Sequence, residues 1–162
     1  MKATVNVTLR DYAPDDFDTL YEIDQICYEQ EVAYSKRELK AYLRFKGSEC
    51  VIAEVEEKIA GFCISARREE QGYIVTIDVI PEYRRLQIGT QLLDEIERRL
   101  RGAGVREVTL ETATDQASAV AFWKRHGYRS RGIREGYYPN GRDAYAMMKR
   151  LDSRTANSSG AV

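Results

Sequence analysis

A strand that ends at a proline, followed within a few residues by an amphipathic helix, constrains this chain more than any other feature. The stretch YIVTIDV at 73–79 is rich in β-branched residues, and Pro81 has no N–H to donate to a sheet, so the strand should end near Val79. Apolar residues then recur with the period of a helix that begins at about residue 88. These apolar positions are Ile88, Leu92, Leu93, Ile96 and Leu100. The stretch RRLQIGT at 84–90 is therefore the loop and first turn of that helix.

The RRLQIGT stretch has the composition of an anion site. The first amides of a helix have no carbonyl partner and lie at the positive end of the helix dipole. Arginine adds positive charge there, and Gly89 lets a ligand come close to the backbone. These properties suit a pyrophosphate, although spacing alone leaves open an ordinary surface helix with basic residues before it. One glycine makes neither a Walker loop nor a GxGxxG dinucleotide turn.

Hydrophobic periodicity in the rest of the chain predicts an α/β domain with a mixed sheet. Alternation with period two indicates strands, and the longer period indicates helices. The predicted elements are a strand at 5–12, a helix that begins at Pro14, a second helix that ends at Gly47, three strands within 50–81, the helix from 88, a strand at 105–112, a helix within 115–127 and two strands within 128–151. Hairpins combined with crossover helices favour this fold class.

Local signals support the first two helices. Ser35 lies three residues before Glu38, which is the spacing of a capping box at the start of the second helix. The first helix should bury a single apolar face. That face carries Phe17, Leu20, Ile23, Ile26 and Cys27.

Length and charge limit the number of domains and the class of partner. A chain of 162 residues with 43% hydrophobic residues suits one domain, which we place at 1–151. The remaining residues, 152–162, are small and polar, and we expect them to be disordered. Lys and Arg number 25 against 26 Asp and Glu, so no basic field is present that would hold a nucleic acid.

Apolar runs and cysteine spacing indicate the compartment. No run approaches the roughly 20 apolar residues that a membrane span needs, and the N-terminus has no apolar block of signal-peptide length. Three cysteines lie far apart without CxxC spacing, so we expect neither a disulfide framework nor a metal site. We therefore expect a cytoplasmic protein without a membrane partner or a metal.

The stretch VIPEYRRLQIGTQLL resembles the acetyl-CoA-binding motif of the Gcn5-related N-acetyltransferases (GNAT), whose pattern is V-x-P-x-x-[QR]-x-x-G-x-[GA]. The order of elements across 5–150 also matches that fold. The resemblance implies a mixed, mostly antiparallel sheet of about seven strands with flanking helices, in which the fourth and fifth strands splay apart. It also implies an acyltransferase that uses acetyl-CoA as cosubstrate.

The resemblance assigns a set of residues to the coenzyme. The backbone of Ile77, Asp78 and Val79 would pair with the pantetheine arm, and the amides from Arg85 to Thr90 would hold the pyrophosphate. The full set predicted to bind the coenzyme is Ile77, Asp78, Val79, Arg84, Arg85, Leu86, Gln87, Ile88, Gly89, Thr90, Gln116 and Trp123.

Three of these positions depart from the family pattern. Gln87 stands where the first glycine of the motif is expected, Gln116 where an asparagine is common, and Trp123 where a tyrosine usually lies near the coenzyme sulfur. An indole has no acidic proton of useful pKa, although its N–H can donate a hydrogen bond. The leaving thiolate would then depart unprotonated or be served by water.

Within the superfamily, GYIVTIDVIPEYRRLQIGTQLL together with REGYYPNGRDAYAMMK looks most like the protein N-terminal and ribosomal-protein alanine acetyltransferases. The resemblance implies that Glu111 is the base and that Tyr73 assists, while the amine attacks the thioester directly. Direct attack needs no covalent intermediate, so a nucleophilic triad is not required.

The predicted acceptor is a primary amine, foremost a protein N-terminus. Tyr137 and Tyr138 resemble the pair that lines the peptide slot in this branch. Glu29 and Glu31 lie in the loop that would form the opposite wall, where they would either attract a cationic amine or be ordinary solvated surface charge. A small-molecule amine as acceptor, or a domain that binds acyl-CoA without turnover, are the alternatives. We expect a monomer or a weak dimer.

Overall fold

A computed structural model describes residues 5–151, and the predicted order of elements is confirmed there. The strands are β1 (Val7–Asp11), β2 (Glu49–Val55), β3 (Lys58–Arg68), β4 (Gln71–Val79), β5 (Glu107–Ala113), β6 (Arg129–Arg134) and β7 (Ala144–Arg150). The helices are α1 (Phe17–Cys27), α2 (Lys36–Arg44), α3 (Ile88–Gly102) and α4 (Ala117–Arg125), with single 3₁₀ turns at Pro14–Asp16 and Pro81–Tyr83. The tail predicted to be disordered, 152–162, lies outside the described residues.

The seven strands form one mixed sheet in the order β1-β2-β3-β4-β5-β7-β6. β1 and β2, β2 and β3, β5 and β7, and β6 and β7 pair in antiparallel fashion, whereas β4 and β5 run parallel. The parallel ladder covers three positions, from Gln71 opposite Glu107 to Tyr73 opposite Thr109.

The described residues fall into two compact units. The first comprises those up to Ala66 together with Ile74–Arg98, and the second comprises Arg67–Tyr73 together with those from Arg99 onward. The single domain at 1–151 stays a prediction. No helix within residues 5–151 has the length and apolarity to cross a membrane.

The core of the first unit is built from the predicted apolar faces. α3 begins at Ile88, as predicted, and its apolar stripe is almost fully buried. The capping box of α2 is also confirmed: the Glu38 amide donates to Ser35 Oγ at 3.1 Å, and the Ser35 amide donates to the Glu38 carboxylate at 3.0 Å. The buried apolar side chains of this unit include Leu20, Leu39, Ile52, Phe62, Ile64, Ile88, Leu92, Leu93 and Ile96.

In the second unit, the alternation of β5 decides which of its side chains point into the core. Val108, Leu110 and Thr112 point into the core, so Glu107, Thr109 and Glu111 lie on the other face. Burial of each large apolar side chain contributes about 1.5–3 kcal/mol, and this fixes the register that presents Glu111. The core on the other side of the sheet includes Leu100, Val105, Val108, Leu110, Trp123, Tyr128 and Met147.

Two expectations for the helices were wrong. Ile26 was expected on the buried face of α1 but is 62% exposed. Asp24 takes the buried position instead, one turn after Leu20, because its carboxylate accepts a hydrogen bond from the Tyr34 amide at 2.8 Å. The second correction concerns α2, which ends at Arg44 rather than at Gly47, since the residue after Arg44 already has extended backbone.

Candidate functional site

Glu111 lies at the centre of a hydrogen-bonded cluster in the second unit. Tyr73 Oη donates to Glu111 Oε1 at 2.6 Å, and Tyr137 Oη donates to the same oxygen at 3.1 Å. Arg134 Nε lies 3.4 Å from the other carboxylate oxygen. The Glu111 side chain is only 9% exposed, so three donors hold a largely buried carboxylate in one orientation.

The register of the sheet explains how Tyr73 and Glu111 meet. Tyr73 pairs with Thr109 in the parallel β4–β5 ladder, and Glu111 is two residues farther along β5 on the same face. The Tyr73 side chain can therefore reach Glu111 along that face. The two residues predicted to be catalytic are thus in direct contact.

The surroundings of Tyr73 keep its phenol protonated. Burial raises the pKa of Tyr73 far above its ordinary value, and the hydrogen bond to Glu111 raises it further. A phenol in that state donates a proton in a hydrogen bond and is a poor base near neutral pH. In this structure the Tyr73 phenol is therefore the donor and the Glu111 carboxylate the acceptor.

Tyr137 and Tyr138 lie on the loop between β6 and β7, which is closed by its own hydrogen bonds. The Tyr138 amide donates to the Arg142 carbonyl at 3.1 Å, and the Gly141 amide donates to the Tyr138 carbonyl at 2.8 Å. The two tyrosine rings meet edge to face with centroids 4.9 Å apart. Tyr137 is 41% exposed, so its ring borders solvent while its hydroxyl contacts Glu111.

A cavity of about 250 Å³ adjoins Glu111. Two of the residues that line it, Arg131 and Arg134, were not predicted from the sequence. Its lining consists of Thr109, Glu111, Arg131, Arg134, Ala146 and Met147. Arg131 and Arg134 belong to β6, whose six residues RSRGIR are all exposed. The sequence does carry a signal for this site. Three arginines lie in the stretch RSRGIR, shortly before the predicted tyrosine pair.

In the first unit, the backbone before α3 is left-handed at two residues of the predicted anion motif. Arg85 and Gln87 both have left-handed backbone, with φ of +69° and +63°. Within residues 5–151, no protein group accepts a hydrogen bond from the amides of Arg85 to Gly89. Those amides lie at the start of a helix of 15 residues, so a bound anion would satisfy them.

Side chains of the first unit already contact the carbonyls that were predicted to pair with pantetheine. Arg84 Nε donates to the Val79 carbonyl at 3.0 Å, and the Cys27 thiol lies 3.5 Å from the same oxygen. Tyr28 Oη donates to the Ile77 carbonyl at 3.2 Å. A carbonyl oxygen has two lone pairs, so Arg84 and Cys27 together use both of those on Val79.

Asp78 contributes more than backbone to this region. Its side chain is 1% exposed and accepts a hydrogen bond from Thr76 Oγ1, and it also pairs with the buried carboxyl of Asp24. Burial raises the pKa of Asp78 well above its ordinary value, and the neighbouring Asp24 raises it further. Burial also raises the pKa of Asp24.

The remaining predicted residues have simpler surroundings. Trp123 is 6% exposed and packs edge to face against Phe122 and Tyr128, so its part in coenzyme binding stays a prediction. Gln116 is exposed at the start of α4, and the loop after α1 exposes Glu29 and Glu31. No group of three or more metal-ligating side chains occurs in the described part of the chain.

Known proteins are similar to this chain in sequence and in fold. The sequence profile of the acetyltransferase (GNAT) family matches residues 17–128. An N-alpha-acetyltransferase of Saccharolobus solfataricus is 28% identical over 160 residues, covering 89% of this chain and 93% of that protein. The ribosomal protein bS18-alanine N-acetyltransferase of Escherichia coli is 27% identical over 138 residues, covering 82% and 89%. The crystal structure of the ribosomal-protein-S18-alanine N-acetyltransferase from Escherichia coli superposes with a TM-score of 0.83 at 24% identity, covering 91% of this chain and 95% of that chain.

Proposed function

Because the chain belongs to the GNAT acetyltransferase family, we propose that it transfers an acetyl group from acetyl-CoA to the α-amine of a protein N-terminus. The single observation that carries the proposal is the cluster in which Tyr73, Tyr137 and Arg134 hold the carboxylate of Glu111. The protein N-terminus as acceptor is supported by the activities of the Saccharolobus solfataricus and Escherichia coli relatives, an N-alpha-acetyltransferase and a ribosomal protein bS18-alanine N-acetyltransferase.

Glu111 would act as the general base. An N-terminal α-amine has a pKa of about 7.7–8.0, so near neutral pH most molecules carry a proton that must leave before the amine can attack. Glu111 accepts that proton, while Tyr73 and Tyr137 keep its carboxylate pointing toward the amine. Tyr73 stays protonated throughout, because burial and Glu111 both oppose its ionisation.

The start of α3 fits the diphosphate of a coenzyme. The amides from Arg85 to Gly89 have no acceptor among the described residues, and the exposed Arg85 adds positive charge beside them. When bound, acetyl-CoA supplies the acetyl thioester that the amine attacks. The chain contributes fixed N–H donors there, and their position does not depend on the side chain of Gln87, which is exposed.

Replacing Glu111 with glutamine tests the base. Glutamine keeps the shape of the side chain but cannot take a proton, so kcat/KM for an N-terminal peptide should fall about 100-fold or more, with acetyl-CoA affinity unchanged. Thiol release, together with mass spectrometry of the peptide, measures the rate and locates the acetyl group. Glu135→Gln, which removes an exposed carboxylate from the same unit, is the matched control and should keep full activity. Equal rates for both variants would show that the base lies elsewhere.

Replacing Gly89 with aspartate tests the coenzyme site separately. An acidic side chain in the first turn favours the helix but repels a diphosphate, so folding should be kept while the Kd for acetyl-CoA rises tenfold or more. Gly89→Ala adds a methyl group without charge and serves as the control. Calorimetric affinities that are the same for Gly89→Asp and the unaltered protein would contradict a diphosphate at this helix.

A panel of acceptors separates the proposal from its alternatives. Thiol release with peptides supports an N-terminal acetyltransferase, and release with small amines alone supports a small-molecule enzyme. Binding of acetyl-CoA without release in either case supports a module without turnover. The departures at Gln87 and Trp123 are the observations that favour this last candidate.

A further inference from the structure

Two arginines of β6 extend across β7 toward the carboxylates of β5. Arg131 Nη1 lies 3.4 Å from Glu107 Oε1, and Arg134 Nε lies 3.4 Å from Glu111 Oε2. Ala146, on the strand between them, pairs with Glu111 on one side and with Gly132 on the other. The small side chain of Ala146 leaves room above β7, and the cavity of about 250 Å³ that Ala146 lines occupies that room.

Both guanidinium groups retain donors for a ligand. A guanidinium has five N–H donors, yet Arg131 and Arg134 each make one long contact with a single carboxylate oxygen. Their side chains are 56% and 60% exposed. By contrast, Arg10 donates twice to Asp16 at 2.8 and 3.0 Å, once to the Asp11 carbonyl at 3.0 Å, and contacts Glu54 at 3.0 Å.

We propose that Arg131 and Arg134 form an anion subsite that binds an acidic side chain at position two or three of the acceptor peptide, counted from the residue that carries the reacting amine. The inference rests on the proposed function, because it takes Glu111 to mark the position of the amine. Arg134 contacts Glu111 directly, so the anion must follow the amine closely. An extended peptide advances about 3.3–3.6 Å per residue, which brings its second or third side chain over the cavity.

The planar fork of arginine matches a carboxylate through two parallel hydrogen bonds. An acidic side chain would enter from the exposed edge of the sheet, where β6 carries three arginines and no acidic residue. A carboxylate bound in the subsite would also compensate the exposed positive charge of Arg131 and Arg134. The acceptor therefore carries a positive amine at Glu111 and a negative side chain at the arginines.

Peptides that differ at one position test the subsite. Each would be C-terminally amidated, start with the same residue and carry Glu, Gln or phosphoserine at position two or three. A further pair with Glu or Gln at position seven serves as the distant control. We expect kcat/KM for the near-Glu peptide to exceed that for its Gln counterpart about tenfold, mainly through KM, and the distant pair to react equally.

Arg131→Gln is the decisive variant, because Arg131 does not touch Glu111 in the described structure. It should abolish the Glu preference while keeping the rate with the Gln peptide and the affinity for acetyl-CoA. Arg129→Gln removes an exposed arginine of the same strand outside the cavity, and it should keep the preference. Equal rates for the near-Glu and near-Gln peptides in the unaltered protein, a preference that survives Arg131→Gln, or a preference for phosphoserine alone would each overturn the carboxylate subsite.

Calorimetric binding of the same peptides keeps this inference distinct from the proposed function. If no peptide is acetylated but the near-Glu peptide still binds about tenfold more tightly through Arg131, the proposed function fails and the subsite stands. If peptides are acetylated without any Glu preference, the function stands and the subsite fails. Loss of both turnover and Arg131-dependent binding would refute the two together.

Discussion

Gln87 has a backbone that glycine would adopt at lower energy, so Gln87→Gly should stabilise the protein. Its φ is +63°, and a left-handed conformation costs a residue with a Cβ about 1–2 kcal/mol. Glycine loses more chain entropy on folding, which offsets about 0.5–1 kcal/mol of that gain. The Gln87 side chain is exposed, so little packing is lost. The free energy of unfolding should therefore rise by about 0.5–1 kcal/mol, which is roughly 1–4 °C in Tm for a chain of this size.

Gln91→Gly is the matched control, because the same side chain is removed one turn later. Gln91 lies inside α3 and its amide donates to the Gln87 carbonyl at 3.0 Å, so its backbone is helical. Glycine there should lower the free energy of unfolding by about 0.5–1 kcal/mol. Thermal and urea unfolding of both variants should shift in opposite directions. A loss of stability in Gln87→Gly as large as that in Gln91→Gly would refute the reasoning from the left-handed backbone.

Two further changes test the packing and the buried acids of the first unit. A Cβ at Gly61 would overlap the Asp78 carbonyl oxygen, so Gly61→Ala should lower the free energy of unfolding, measured in urea, by about 1–3 kcal/mol. Gly102→Ala is the control, because a Cβ there meets open space, and it should be neutral or slightly stabilising. Burial raises the folded pKa of Asp78 above its unfolded value, so its contribution to stability is full at low pH and is lost as pH rises through the folded pKa. Asp78→Asn can still donate to Asp24 without ionising, and the variant should exceed the unaltered protein in urea unfolding at pH 8 by more than at pH 4. A smaller or absent advantage at pH 8 would contradict the raised pKa of Asp78.

The fold could be predicted from the sequence because its elements have strong local signals. Pro81 ended β4 at Val79 as expected, and the apolar stripe that starts at Ile88 gave the start of α3. The weaker signals failed where a long-range contact decided the outcome. Ile26 matched the helical period, but the hydrogen bond from the Tyr34 amide brings Asp24 into the core instead.

The candidate site could be predicted only in part. Glu111 and Tyr73 were identified by resemblance, and the parallel ladder brings them together. Arg134 was missed because it comes from β6 and reaches Glu111 across β7, a relation that depends on strand order rather than on sequence spacing. The buried pairing of Asp24 with Asp78 depends likewise on two distant segments.

The partners of Glu111 restrict where an acceptor amine can bind. A carboxylate offers about four lone-pair positions, and Tyr73, Tyr137 and Arg134 occupy three of them. Both tyrosines use Oε1, whereas Oε2 has only the long 3.4 Å contact with Arg134. The amine would therefore reach Oε2, the oxygen that faces the arginine cavity. Under the proposed function, Oε1 of Glu111 fixes the orientation of the base, and Oε2 takes the proton. The amine would then react beside the same cavity in which the arginines would bind the acidic side chain of the acceptor.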